Sequence, residues 1–557
     1  MIKLVKYFLL LIAGCIPGLV IANSYSAINY TITPVFTSNV PYIKVDAEIK
    51  GQLSGKVVVD LPYKWAHVKY YQQIKNVKLN HPHGKIQLKK HAVNQAVITT
   101  SKTNSLSLSY EVYQKSGDPT CVEEAIIRKN LIHAPGYGIL AVPNELKAPE
   151  NEKIEFKVVW KTLPKQWKTL SSHGPNKSLK FVTDAQKLLH SIYMAGNLRI
   201  YQIADSNSPI YLSFHGKFDL QDDLIASNLC EIIKTQRTFF NDYDFTCYVI
   251  SLIQGSDPHS GGGTGLYNSF AAHLPKGMEK INYYKLLAHE HFHSWTGGKI
   301  RNNEQEVLNY WWTEGFTEYY SRVLALRSNG LSIEEFINEC NQFLRDYYLS
   351  PVLNAPNRRI KHAFWKDHDI QRLPYNRGFI FAIYLNSLIK KNNPDNSLDN
   401  VMLDLFKNSV HKKFSTPYFQ SLIKAYISRG ITQETAMYID KGKTIELSDA
   451  AKLLPIEKRM TGAFDIGFDE LAFAKEKVIK KIDEKSNAYE VGLRNGDKIV
   501  GWSLPKGRDP DQIATIKTAD KVFKFRPGGS NKKNIYQFKS NLSQADKIKI
   551  KKFFGVK

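Results

Sequence analysis

The sequence predicts a multidomain α+β chain: an antiparallel β-sandwich over 23–180, a mainly helical domain over 181–450, and a small β domain over 455–557, behind a leader at 1–22. Three observations predict it. A length of 557 residues exceeds what one hydrophobic core serves and points to roughly three domains. The spacing of apolar residues changes near residue 181 from alternation to helical periodicity. With 43% apolar and 12% aromatic residues, the chain has ample surface to bury, which excludes wholesale disorder.

The leader has a basic start, Met1 to Lys6, and an apolar middle, and it closes on Val20-Ile21-Ala22, a small-residue pattern open to signal peptidase. Its short length, with Gly14 and Pro17, argues against a permanent transmembrane helix, so an exported protein, periplasmic or secreted, is expected. Ile12-Ala13-Gly14-Cys15 also resembles a lipoprotein box, but the apolar run after Cys15 favours simple export. The four remaining cysteines, Cys121, Cys230, Cys247 and Cys340, permit up to two disulfides and demand none.

Apolar and polar residues alternate through Tyr30–Phe36, Tyr42–Ile49, Leu106–Val112 and Lys153–Trp160, as in the half-buried strands of a sandwich. Helical spacing follows in Ala185–Tyr193, Asp222–Phe240, Asn282–Trp295, Trp312–Ser328, Ile333–Tyr348, Gly378–Lys391 and Val401–Ser409. Phe245–Leu252 reads as a strand leading into a Gly-rich loop, Ser260–Leu266. That loop lacks the Gly-Lys-Ser/Thr ending of a phosphate cradle, which favours a turn or a substrate-edge role over nucleotide binding. In the third unit, Ser486-Asn487-Ala488-Tyr489-Glu490-Val491-Gly492-Leu493-Arg494-Asn495-Gly496-Asp497-Lys498-Ile499 resembles the helix-turn-strand segment of PDZ domains. That resemblance implies a carboxylate-binding loop at Ile466-Gly467-Phe468 and a C-terminal peptide as ligand, with a purely structural unit as the alternative.

The chemistry concentrates in His289-Glu290-His291-Phe292-His293. Histidines four apart on a helix share one face and can grip one metal ion, while Glu290 beside them can deprotonate a bound water. Such a pattern can also decorate a solvated helix face. The apolar run Tyr283 to Ala288 weighs against that, because buried ionisable groups are costly without a metal to pair with. Glu314, in Trp311-Trp312-Thr313-Glu314-Gly315-Phe316-Thr317, can supply the third ligand. Two imidazoles and one carboxylate favour a single Zn2+ over other divalent ions.

These segments resemble the glycyl aminopeptidase family of exported zinc metallopeptidases, with a β-rich N-terminal domain, a thermolysin-like catalytic domain and a C-terminal PDZ domain. The resemblance rests on His289 to Trp295, Trp311 to Tyr320 and Leu324 to Ser332. It implies zinc held by His289, His293 and Glu314, with Glu290 as general base. Glu318 is implied as a carboxylate orienting a ligand histidine, against the alternative of a solvated helix residue. Tyr375-Asn376-Arg377-Gly378 matches a segment whose tyrosine donates to the oxyanion, against an ordinary core tyrosine. One departure matters. Where aminopeptidases of this kind carry an acid for the substrate's amino group, the stretch Gly265-Leu266-Tyr267 puts a phenol at Tyr267, which offers no countercharge. Asp257 is a possible substitute, and the Gly-rich backbone can still pair with an extended substrate.

The expected activity is therefore hydrolysis of peptides or proteins, aminopeptidase-like, with two alternatives: a zinc endopeptidase, or a catalytically silent peptide-binding scaffold. A net charge of +24 raises nucleic acid as a partner, but the lysines are dispersed and no nucleic-acid motif accompanies them. No nucleic acid and no transmembrane anchor are expected.

Overall fold

The computed structural model describes residues 23–556 apart from 39, 66–67, 82–83, 90–92, 116–122, 148–151, 204–207, 256–261, 276, 410–411 and 506–508. The leader, with Cys15, and also Cys121 and Asp257, lie outside the described residues. Cys230, Cys247 and Cys340 are free thiols. Among the described residues no helix is long and apolar enough to cross a membrane.

The N-terminal unit is built from β1 (Ser24–Val35), β2 (Tyr42–Asp60), β3 (Ile74–Leu79), β4 (Lys85–Lys89), β5 (Gln95–Tyr113), β6 (Ile126–Arg128), β7 (Leu131–Pro135), β8 (Val142–Pro143), β9 (Ile154–Trp160), β10 (Lys168–Ser171), β11 (Ser178–Thr183) and β12 (Ile192–Gly196). The long alternating strands β1, β2 and β5 anchor an eight-stranded sheet, while β10-β12-β7-β6 form a second, smaller one. Inward residues of both, Ile28, Val45 and Leu108 against Ile132, Ala134 and Tyr193, share one core, so the expected sandwich is present. Two details differ from expectation. The pair β1–β9 is parallel, so the sandwich is not wholly antiparallel. The predicted helix Ala185–Tyr193 stops at Leu189, because Ile192–Gly196 instead pairs with β7, and the N-terminal unit runs past 180 to about 196.

The central unit opens with β13 (Arg199–Gln202), β14 (Ile210–His215), β15 (Tyr248–Gln254), β16 (Gly262–Leu266) and β17 (Ser269–Leu274), ordered β13-β14-β15-β17-β16. The described part of the Gly-rich loop is thus an edge strand, antiparallel to β17. Glycine carries little strand propensity, and only the partner strand reveals the pairing. One face of this sheet meets the small N-terminal sheet through Val249 and Ile253 against Leu131, Ile192 and Met194. Its other face packs on helices α1 (Asp222–Phe240), α2 (Lys280–Phe292), α3 (Tyr310–Thr313), α4 (Gly315–Arg327), α5 (Ile333–Tyr348) and α6 (His368–Asn392). Helix α6 begins ten residues before the predicted Gly378 and runs through Pro374, its start capped by Asp367, whose carboxylate accepts from the N–H groups of Asp369 and Ile370. The long apolar face beyond Pro374 holds the helix together across the missing hydrogen bond.

The C-terminal unit enters in two parts. Ile466, Phe468, Ile479, Leu493, Ile516 and Phe525 build a small core of their own. Strands β18 (Ile456–Phe464) and β19 (Gly528–Phe538) pair antiparallel outside it, and Ile456, Ile535, Phe538 and the terminal helix α7 (Gln544–Phe554) join the core of the central unit. The core of the central unit therefore draws on residues well beyond the expected limit of 450.

His133 on β7 is fully buried at the junction between the sheets, with neither ring nitrogen hydrogen-bonded. Burial, reinforced by His273 and His215, pushes its pKa down to about 3. The folded value lies below the unfolded one, so on acidification the unfolded chain takes up a proton that the folded chain refuses. Stability is lost from about pH 6.5 downward, by about 1.4 kcal/mol per pH unit for this residue. We expect His133→Leu to flatten that slope; denaturant titrations at pH 7 and pH 5 giving the wild-type dependence would refute it.

Candidate active site

Two elements deliver the central cluster. Helix α2 ends at Phe292 with His293 as its C-cap, so His289 and His293 stand one turn apart and converge. Their Nε2 atoms are 3.0 Å apart. Glu314 sits at the break between α3 and α4, and its Oε2 lies 3.3 Å from each of the two Nε2 atoms. Among the described residues this is the one trio of His, Cys, Asp or Glu whose ligand atoms all come within 4.8 Å of one another.

The donor set fits zinc. Bonds of about 2.05 Å in a tetrahedron place neighbouring ligand atoms about 3.3 Å apart, close to the 3.0, 3.3 and 3.3 Å seen. Each Nδ1 is turned away from the cluster. That of His293 faces the Thr296 carbonyl at 3.1 Å, and that of His289 faces Oε2 of Glu318 at 3.4 Å. With the proton on Nδ1, both Nε2 lone pairs aim at one point, where a shared cation can bind them.

Electrostatics follow from this crowding. Burial disfavours charge on His289, yet Glu318 and then Glu314 override it and push the imidazole up to about 10. Glu314 resists its own burial because His293 and His289 hold its carboxyl well below the usual range. Glu318 is brought down to about 2 against burial, chiefly by Arg322 and His289. Glu290 moves the other way: burial raises its pKa, and the neighbouring histidines only partly oppose this. A carboxylate raised in this way is suited to accepting and returning a proton.

Packing explains the precision. Trp295 Nε1 donates to Oδ2 of Asp242 at 2.8 Å, fixing the turn after His293 to the end of α1. His291 is buried, its Nδ1 2.6 Å from Oε1 of Gln236, whose amide donates to the Ala288 carbonyl at 2.8 Å. It is a packing residue and not a ligand. Gly315 and Gly378 let α4 and α6 touch: a methyl group at Gly378 would stand 1.9 Å from the Trp311 carbonyl oxygen. That contact carries Tyr375, one turn earlier on α6, to the site, where its ring lies parallel to His289 at 6.3 Å between centroids. Burial and then Glu314, Glu318 and Glu290 push the phenol's pKa well up, so it stays a hydrogen donor.

The Gly-rich strand behaves differently from expectation. Gly263, not Gly265 or Leu266, faces Glu290, since a methyl group there would stand 3.3 Å from its Oε1. Leu266 packs instead on the junction with the N-terminal sheet. Tyr267 turns to the N-terminal unit too, its N–H donating to the His190 carbonyl at 2.9 Å and its ring lying 5.6 Å from Nζ of Lys187. In the C-terminal unit, the Gly467 N–H already donates to Oδ1 of Asp465 at 2.7 Å, and its carbonyl accepts from the Asp483 N–H at 2.7 Å. A carboxylate thus occupies one of the donors that a peptide C-terminus would need.

Residues 282–355 match the family model described as M61 glycyl aminopeptidase. Leucine aminopeptidase 2 of Sclerotinia sclerotiorum is 23% identical over 247 residues, 40% of this chain and 39% of that protein. Leukotriene A-4 hydrolase of Xenopus laevis is 32% identical over 114 residues, 19% of this chain and 17% of that protein. The chain thus spans well under half the length of these curated relatives. A solved aminopeptidase N family protein of Idiomarina loihiensis shares the fold, with TM-score 0.68, 16% identity, and coverage of 94% of this chain and 99% of that one. The stretch similar to that peptidase family, residues 282–355, takes in His289, Glu290, His293 and Glu314, and the trio the fold brings together there has the donor set of a zinc site.

Proposed function

We propose that this chain is an exported, zinc-dependent peptidase, aminopeptidase-like, with one Zn2+ held by His289, His293 and Glu314. The convergence of their three ligand atoms carries the reading. When bound, zinc polarises the scissile carbonyl and acidifies the attacking water. Glu290 accepts the water's proton and hands it to the leaving amine. Tyr375 donates its phenolic proton in a hydrogen bond to the developing oxyanion. Glu318 keeps His289 in the tautomer that offers Nε2. An extended substrate pairs with the free edge of β16, where the absence of a side chain at Gly263 leaves room beside Glu290.

Endopeptidase action is the second reading, favoured by Tyr267, which supplies no charge for a free amino terminus and packs toward the N-terminal unit. For the C-terminal unit we favour a structural role, because the Asp465 carboxylate at the Gly467 N–H opposes an incoming carboxylate. Export rests on the leader sequence alone.

Cleavage of a mixed peptide library, with free and blocked amino termini and with and without a chelator, tests the function. Chelator-sensitive trimming confined to free termini is the expected result; equal cleavage of blocked peptides selects the second reading, and no cleavage sinks both. In the same assay we expect Tyr375→Phe to lower kcat about 100-fold with KM little changed, whereas wild-type turnover would remove Tyr375 from the mechanism.

A further inference from the structure

Behind His289, on its Nδ1 side, four charged side chains from three helices form a buried circuit. Lys285 stands one turn before His289 on α2, and Glu318 and Arg322 stand one turn apart on α4. Glu339 comes from α5. Nζ of Lys285 donates to Oε1 of Glu339 at 2.9 Å. The Nε of Arg322 lies 3.8 Å from Oε2 of Glu339, and its Nη1 forms a close ion pair with Oε2 of Glu318. That same oxygen lies 3.4 Å from Nδ1 of His289. The circuit thus returns to the helix from which it started.

The side chains of Arg322, Glu339 and Glu318 are only 9%, 11% and 12% exposed. Burying so many charges is weak as a source of stability, since apolar residues of similar volume do as well or better. What a closed ionic circuit does supply is geometry. Alone, the Glu318 carboxylate could rotate away from the imidazole. The Arg322 guanidinium, paired with Glu318, with its Nε 3.8 Å from Glu339 and lying 5.4 Å over the Phe343 ring, restricts that freedom.

We propose that Arg322 and Glu339 are positioning residues of the metal centre, which aim the Glu318 carboxylate at Nδ1 of His289 and so present Nε2 to the ion. The inference rests on His289, His293 and Glu314 being the zinc ligands.

The test is zinc affinity of the full chain, measured by titrating the metal-free protein against a competing chelator. Glu339→Gln and Arg322→Met should each weaken zinc binding 10–100-fold, as loss of an outer partner does. Lys285→Met, one link further away, should weaken it less. In a Glu318→Gln background the same substitutions should cause no further loss, which a merely structural role would not produce. Thermal unfolding of the metal-free variants reports any general destabilisation. If Arg322→Met does not fold, Arg322→Lys and Lys285→Met carry the comparison. Affinities equal to wild type, or losses that add in full to that of Glu318→Gln, would overturn the proposal. Failure of the wild type to bind one zinc would instead overturn the ligand assignment beneath it.

Discussion

Glu290→Gln should retain one zinc per chain and melt with the wild type, yet hydrolyse peptides at least about 1,000-fold more slowly. The retention follows from geometry, because Glu290 is outside the trio whose ligand atoms converge. Glutamine matches the shape of the carboxylate, so the space between it and Gly263 stays as it is. The loss follows from proton bookkeeping. One group must take a proton from the water and return it to the leaving amine, and an amide does neither at neutral pH. Burial, which raises the Glu290 pKa, brings it closer to the working pH and makes both transfers feasible for the carboxylate. Metal analysis with kcat on one preparation decides the matter: a metal-loaded variant with normal turnover would disprove the role.

Glu314→Ala should bind zinc more than about 100-fold more weakly, exceeding the effect of any outer partner. With the carboxylate gone, two imidazoles whose Nε2 atoms are 3.0 Å apart must hold the ion alone. They also lose the one carboxylate among the three converging ligand atoms, and with it the negative charge that faces the ion. Because Glu314 lies at the break between α3 and α4 and contributes no side-chain cap, the helices themselves should survive its truncation. Chelator-competition titration alongside circular dichroism separates the outcomes. Undiminished zinc binding with intact helicity would mean that another group completes the site.

Parts of the site were legible because local periodicity carries them. A spacing of four on a helix puts His289 and His293 on one face whatever surrounds them. Glu314, Glu318 and Tyr375 were reached through segments resembling a known family, and the geometry adds why they meet: the Gly315–Gly378 contact brings α6 against α4. Gly263, Gln236, Arg322 and Glu339 gave no such signal. Each acts through a partner distant in the chain, and nothing in its own neighbourhood announces that partner. The misread elements share this cause. Gly262–Leu266 became a strand because β17 lies beside it, and Ile192–Gly196 because β7 does. Helix α6 continues through Pro374 because the core grips its flank.

By itself, then, the sequence determined the order of the units, the types of donor and the helical spacing of the two histidines, since these depend on neighbours within a few turns. Only the tertiary structure decided that Glu314 meets both histidines at 3.3 Å, that Gly263 faces Glu290 while Tyr267 turns to the N-terminal unit, and that the last strand and helix belong to the core of the central unit. The physical reason is that such contacts join segments far apart in the chain, and close packing of the whole interior sets their distances.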